Sequence, residues 1–223
     1  MSTGTRHTVT AFDDDMDEIR GLIAEMGARA ESAVMAAMKA LGEHDTELAA
    51  ATRAEDKIID TLETEVEKLV VRTIALRAPM ADDLRELIAA LKMSAVIERI
   101  GDYAKNIAKR VPQMEAKSSL AANEQLVRMG DIVVEMIRTA MDAYAKRDID
   151  LARAVTARDD DVDQLNKDLF VDFVAYVAKN PKTATEVAHM LFTAKNLERI
   201  GDHTTTVAQM IYFTETGENL PDA

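Results

Sequence analysis

Apolar residues recur along almost the whole chain at spacings of three and four, the period of a helix that buries one face. Six such segments run from about 13 to 42, 45 to 77, 80 to 111, 119 to 147, 148 to 179 and 183 to 213. The corners fall at Gly42 to Asp45, Ala78-Pro79, Val111 to Asn123, Lys146 to Asp148 and Asn180-Pro181. The two prolines suit the first turn of the helix that follows. Six long helices with short corners predict an all-α fold of two tandem antiparallel three-helix bundles.

The two halves repeat each other. Shifted by 103, residues 37–62 match 140–165 without a gap, with identities that include Met38/Met141, Asp45/Asp148, Leu48/Leu151, Asp56/Asp159, Asp60/Asp163 and Leu62/Leu165. The third segments align at a shift of 100 and share the letters ERIGD at 98–102 and 198–202. This internal duplication predicts one three-helix repeat over 12–115 and a second over 116–215, with polar tails at 1–11 and 216–223.

Composition agrees with helices, since Ala, Leu, Met, Glu and Arg are abundant while there are only 8 Gly, 4 Pro and no Trp. The balance of 27 Lys+Arg against 40 Asp+Glu gives a net charge of −13, which repels phosphates over most of the surface and excludes nucleic acid as a partner. Cations and basic protein surfaces are the expected partners. Without cysteine there is neither a disulfide frame nor thiolate chemistry, which fits a reducing compartment. The N-terminus carries no apolar signal region, and the longest apolar run, LFVDFVAYVA, is broken by Asp172 well short of the roughly 18 residues of a membrane span. The expectation is a cytoplasmic protein.

The acids are the candidate chemistry. Side chains four apart share a helix face, and those seven apart differ by only about 20°. Leu84, Ile88, Leu91 and Ala95 make an apolar line that arrives at Glu98 and then Asp102, and Leu191 leads likewise to Glu198 and Asp202. Asp159 and Asp163 fall on the side of Phe170, Val174 and Val177, while Asp56 and Asp60 flank the stripe Ile59, Leu62, Val66, Val70 and Ile74. An acid pair on a solvated helix face costs only about 0.2–0.5 kcal/mol and is common. Four pairs at matching positions of a duplicated sequence instead predict two sites, each gathering four carboxylates that need neutralising.

Three neutralisers are available. Arg99 and Arg199 stand three residues before Asp102 and Asp202; the carboxyls could share protons at raised pKa; or metal ions could bind, oxygen-only sets suiting hard cations such as Mg²⁺, Mn²⁺, Ca²⁺ or iron. Metal fits best, because one arginine cannot balance four acids. Gly101 and Gly201 each cost roughly 1 kcal/mol inside a helix, offset if the missing side chain lets a neighbouring helix approach. Asn106 could add a ligand where the second repeat has Thr206, and Glu63 and Glu67 give the first site more charge than Asn166 and Phe170 give the second. His7, His44, His189 and His203 form no cluster and are expected on the surface, and the 13 methionines are expected mostly in the core. No nucleophile, base and orienting group fall together, and the paired Glu-x-x-His motifs of helical di-iron enzymes are absent, so no enzyme is expected. A carboxylate-bridged metalloenzyme and a metal-free helical scaffold are the alternatives.

ERIGDYAKNIA and ERIGDHTTTVA, each preceded by a D-x-x-x-D on the second segment of its repeat, resemble the PhoU family of phosphate-transport regulators over about residues 12 to 215. The resemblance implies two similar three-helix bundles with multinuclear metal clusters, one at Asp56, Asp60, Glu98 and Asp102 and the other at Asp159, Asp163, Glu198 and Asp202. The ions would be divalent or trivalent, with Fe, Mn, Mg, Zn and Ni as candidates. It further implies a negative regulator of phosphate uptake and of the phosphate-starvation response. Such a protein would be an adaptor, a homodimer that touches the ATPase subunit of a phosphate ABC transporter and a sensor histidine kinase, and it would reach the membrane only through them.

Overall fold

The computed structural model describes residues 3–114 and 124–220, with side chains from residue 11 onward. These residues form α1 (Thr3–Glu43), α2 (Thr46–Arg77), α3 (Asp82–Ala108), α4 (Glu124–Lys146), α5 (Ile149–Lys179) and α6 (Ala184–Thr216), with single 3₁₀ turns at Val111–Gln113 and Pro181–Thr183. Helix α1 thus runs through most of the stretch read as an N-terminal tail, and α6 continues to Thr216 before the left-handed Gly217 ends it. The predicted start of the fourth segment at 119, and the junction up to Asn123, lie outside the described residues. Pro181 opens a 3₁₀ turn rather than α6 itself, and Pro79 precedes α3 in an irregular corner.

The duplication is visible in the corners. His44 and Arg147, equivalent positions, both take the left-handed conformation (φ 52° and 53°). The next residue, Asp45 or Asp148, then donates its N–H back to Ala40 or Ala143 at 2.9 and 3.0 Å. The same aspartates cap the following helices: Asp45 Oδ1 accepts from the amides of Glu47 and Leu48, and Asp148 Oδ1 from those of Asp150 and Leu151. Each cap contributes about 1 kcal/mol and fixes where α2 and α5 begin.

Helices α1, α2 and α3 pack on one another, as do α4, α5 and α6, and the halves join through α1 against α4 and α3 against α6. Equivalent helices therefore meet, and the contacts are reciprocal. A Cβ on Gly27 would lie 1.9 Å from Met141 Sδ, and one on Gly130 would lie 3.0 Å from Met38 Cε, so each first helix offers a glycine notch to the other's methionine. Tyr103 and His203, also equivalent, meet across α3 and α6 with ring centroids 5.3 Å apart and planes tilted by 60°. Glu86 on α3 accepts from Arg20 Nε at 2.7 Å and from Arg147 Nη2 at 2.9 Å, tying the far end of the second half's first corner to the first half. Ile19, Ile23, Met26, Leu87, Ile97, Leu126, Val133 and Leu197 belong to one core shared by both halves.

Two faces differ from the sequence reading. On α3 the buried residues are Leu87, Ala89, Ala90, Met93, Ser94, Ile97, Ile100, Gly101, Ala104, Ile107 and Ala108, while Leu84, Ile88 and Ala95 are exposed. On α5 it is Val155, Val162, Leu169 and Phe173, while Phe170 and Val174 are exposed. The crowded position of α3, packed against α1, α2 and α6, explains the first difference. Small residues such as Ala90, Ser94, Gly101 and Ala104 let neighbours approach closely between the larger Leu87, Met93, Ile97, Ile100 and Ile107.

Candidate functional site

The acids consequently stand on the shoulders of the buried faces, in the two clefts between α2 and α3 and between α5 and α6. In the first cleft Asp56 is the deep one, with 4% of its surface exposed, Glu98 and Asp102 are half-buried and Asp60 is exposed. In the second, Asp159, Asp163 and Glu198 are half-buried and Asp202 is exposed. The two glycines set the width of these clefts. A Cβ on Gly101 would lie 2.8 Å from Ile59 Cδ1 and 3.9 Å from Asp56 Oδ1; one on Gly201 would lie 2.9 Å from Asp159 Oδ1 and 3.5 Å from Val162 Cγ1. Gly201 therefore admits the carboxylate of the neighbouring helix, and Gly101 the Ile59 side chain beside it.

Electrostatics show that the acids of each set feel one another. Burial pushes Glu98 up to about 7, helped by Asp102 and opposed by Arg99, with Glu63 and Asp60 adding to the rise. Burial and then the Asp56 charge raise Asp60, and burial, Asp60 and Glu67 raise Glu63. In the second cleft burial and the charges of Asp202 and Asp163 push Asp159 up to about 6, and burial, Glu198 and Asp163 raise Asp202.

The side chains that stand against the acids are not the arginines that spacing offers. Arg99 stands loosely, 3.7 Å from Glu98 and 3.8 Å from Asp102, and it is Lys105 that fills the first cleft. Its Nζ donates to Asp56 Oδ2 at 2.6 Å and to Asp102 Oδ1 at 3.1 Å, and these bonds raise its own pKa. The second repeat has Thr205 at the equivalent position, with its Oγ1 buried and unpartnered. There Lys195 pairs with Glu198 from the rim and Lys167 lies 3.7 Å from Asp163. The second cleft thus has, among the described residues, no cation that bridges its two helices as Lys105 does in the first. Lys105 lies three residues past Asp102, a helix neighbour that sequence spacing offers, but its bond to Asp56 crosses between helices.

The donor set suits a hard cation in type: it is oxygen-only, carries excess negative charge, and leaves a buried carboxylate oxygen without a hydrogen-bond donor in each cleft, Asp56 Oδ1 and Glu198 Oε2. As the side chains stand, however, no three acids or histidines among the described residues form a ready ligand set. Asn106 is exposed, and Thr206 turns its hydroxyl back to the Asp202 carbonyl at 3.0 Å. The histidines with described side chains form no cluster with the acids, but they are not all surface residues. His203 is half-buried against Tyr103, its pKa lowered by burial, Arg99 and Arg199, and His189 is half-buried and lowered by burial and Arg110. His7 lies outside the described side chains. A single Glu-x-x-His, Glu186 and His189, occurs on α6 near Arg110, away from the carboxylates.

A doubled three-helix bundle with a paired acidic cleft in each half defines a class of duplicated helical proteins. The sequence pattern of the PhoU domain matches twice, at residues 23–111 on α1–α3 and at 126–211 on α4–α6. The chain is 47% identical to the phosphate-specific transport system accessory protein PhoU homolog of Zymomonas mobilis, covering 97% of this chain and 91% of the relative. It is 42% identical to the protein of the same description in Caulobacter vibrioides, covering 97% and 94%. Its fold matches the crystal structure of PhoU from Pseudomonas aeruginosa with a TM-score of 0.87 at 31% identity, covering 93% of this chain and all of the other. The phosphate transport system regulatory protein PhoU from Streptococcus pneumoniae matches at 0.87 and 25%, covering 94% and 99%. This chain belongs to the PhoU family, whose members are accessory and regulatory proteins rather than enzymes. No helix among the described residues is long and apolar enough to cross a membrane.

Proposed function

We propose that this chain is a regulatory accessory protein of a phosphate-specific transport system, acting as a negative regulator of phosphate uptake and of the phosphate-starvation response. It works as a cytoplasmic, homodimeric adaptor that contacts the ATPase subunit of a phosphate ABC transporter and a sensor histidine kinase, and meets the membrane only through them. Its acidic clefts bind divalent or trivalent metal ions in multinuclear clusters, held by Asp159, Asp163, Glu198 and Asp202 in one half and by Asp56, Asp60, Glu98 and Asp102 in the other.

The observation that carries the metal reading is the pair of equivalent clefts, each with a buried carboxylate oxygen that has no donor. A bound cation would favour the ionised forms of these acids. The second cleft, lacking a counterpart of Lys105, loads first. Elemental analysis of protein purified without chelator and then loaded with Mn²⁺, Fe²⁺, Zn²⁺, Ni²⁺ or Mg²⁺ tests this; metal-free protein under every condition overturns it. Co-purification with the transporter ATPase or the kinase at high and low phosphate tests the adaptor role, and no association in either regime overturns that. For the first cleft a second reading has its own support, since Lys105 already supplies an internal cation there, as a metal-free scaffold would require.

A further inference from the structure

Three exposed apolar residues of the second half, Phe170, Val171 and Phe192, meet in one groove between α5 and α6, about 640 Å³ in volume and lined also by Lys167, Leu191 and Lys195 among others. Phe170, Val171 and Phe192 are 57%, 64% and 56% exposed, a large apolar surface for a chain so rich in charge. The duplication supplies an internal control. At the equivalent positions of the first half stand Glu67, Lys68 and Lys92, so three charged positions of one repeat are large and apolar in the other. Packing inside the bundle does not require the change, because the side chains point outward.

The charges around the groove select its occupant. No acid lines it, although the chain carries a net charge of −13. Helices α5 and α6 are joined by a short corner and pack together, so they run antiparallel, and Lys167 and Lys195 fall at the same end of the groove. Both lysines also touch the neighbouring cleft, through Asp163 and Glu198, yet their side chains remain 67% and 48% exposed, leaving donors for a further acid. A third cation, Arg110, stacks over the Phe192 ring at 4.3 Å; among the described residues it enters no ion pair, and its Nε is buried without a partner. The shape selects a helix. Two antiparallel helices bound the groove with rows at i, i+3 and i+4, the form that accepts a third amphipathic helix, and there is no sheet edge among the described residues to pair with a strand.

We propose that this groove is a docking site for an amphipathic helix of another protein, one that seats large apolar side chains between Phe170 and Phe192 and sets acidic residues against Lys167, Lys195 and Arg110. An adaptor could still act through another face if this docking failed. The test uses the full chain and a fluorescent helix-forming peptide with leucines at i, i+3 and i+7 and glutamates toward one end, read by anisotropy. A version with lysines in place of the glutamates is the control. The wild type is expected to bind the acidic peptide and not the basic one. Phe192→Lys and Phe170→Glu, which import the first repeat's residues at exposed positions, should each weaken binding about tenfold or more. The double substitution Lys167→Glu/Lys195→Glu should reverse the preference between peptides. Circular dichroism confirms that the variants fold. Equal binding of both peptides, no binding of the acidic peptide, or unchanged affinity in the variants overturns the proposal. So does a Phe192→Lys chain that loses self-association by light scattering, because the occupant is then a second copy.

Discussion

Replacing Lys105 by methionine isolates the chemistry of the first cleft. Methionine keeps much of the unbranched length of lysine and removes only the ammonium that serves Asp56 and Asp102. Asp56, 4% exposed, then keeps no donor on either oxygen, since Lys105 is the partner of Oδ2 and Oδ1 has none. Stranding one member of a buried pair costs about 3–5 kcal/mol. Because the Lys105 side chain is itself 40% exposed, water screens the pair and the lower range applies, about 2–3 kcal/mol. For a chain of this size that lowers the melting temperature by about 4–12 °C. The assay is thermal unfolding followed by circular dichroism in EDTA at pH 7. Asp56→Asn combined with Lys105→Met should recover at least half of the loss, since neither charge remains. Added Mn²⁺ should raise the melting temperature of Lys105→Met more than that of the wild type, the ion taking the place of the ammonium. A Lys105→Met chain that melts with the wild type in EDTA would refute the reasoning.

Three further outcomes are expected. The raised carboxyls make stability depend on pH: Asp159 at about 6 and Glu98 at about 7 lie above their ordinary values of 3.8 and 4.5, so the folded state holds these protons more tightly. Their effect favours folding at low pH and is lost as pH rises from about 4 through 6–7, so Asp159→Asn should gain on the wild type between pH 5 and pH 8 in EDTA melts; parallel melting curves across that range would count against it. Gly201→Val, whose added Cβ meets Asp159 Oδ1 at 2.9 Å, should lower stability by about 1–3 kcal/mol in urea unfolding and weaken Mn²⁺ binding, and a neutral result would mean that the cleft is wider than described. Phe173→Ala should cost about 3–5 kcal/mol, whereas Phe170→Ala should cost little, because Phe173 is 2% exposed and Phe170 57%; urea unfolding with the order reversed would put α5 in the wrong rotation.

The sequence reveals much of this architecture because the duplication repeats its punctuation. Asp45 and Asp148 cap helices at equivalent corners, and the two ERIGD stretches mark α3 and α6 without any coordinates. Helix faces were harder to read, for a physical reason. Summing bulk along α3 favours the line Leu84, Ile88 and Leu91, but the buried face intersperses Leu87, Met93, Ile97, Ile100 and Ile107 with alanine, serine and glycine, and small residues add little to a hydrophobic pattern. On α5 and α6 the large apolar residues Phe170, Val174 and Phe192 point to water, so hydrophobicity alone turns α5 the wrong way round. The four acids of each half could be named from spacing. Their internal counter-charge could not, because the reach of Lys105 to Asp56 depends on how α2 and α3 are rotated about their axes. The Gly27/Met141 and Gly130/Met38 exchange was legible in principle as a glycine and a methionine recurring at a shift of 103, but only the packing of α1 on α4 shows why they recur.

The central claim is that equivalent carboxylate clefts bind cations, the second one, which lacks a counterpart of Lys105, first. The most direct measurement is a Mn²⁺ titration of chelator-stripped protein, read by electron paramagnetic resonance, on the wild type, on Glu98→Gln/Asp102→Asn and on Glu198→Gln/Asp202→Asn. The account predicts that the tightest sites vanish in the second double variant and persist in the first. A free-ion spectrum at every Mn²⁺ concentration in the wild type, or tight sites kept in both variants, would contradict it.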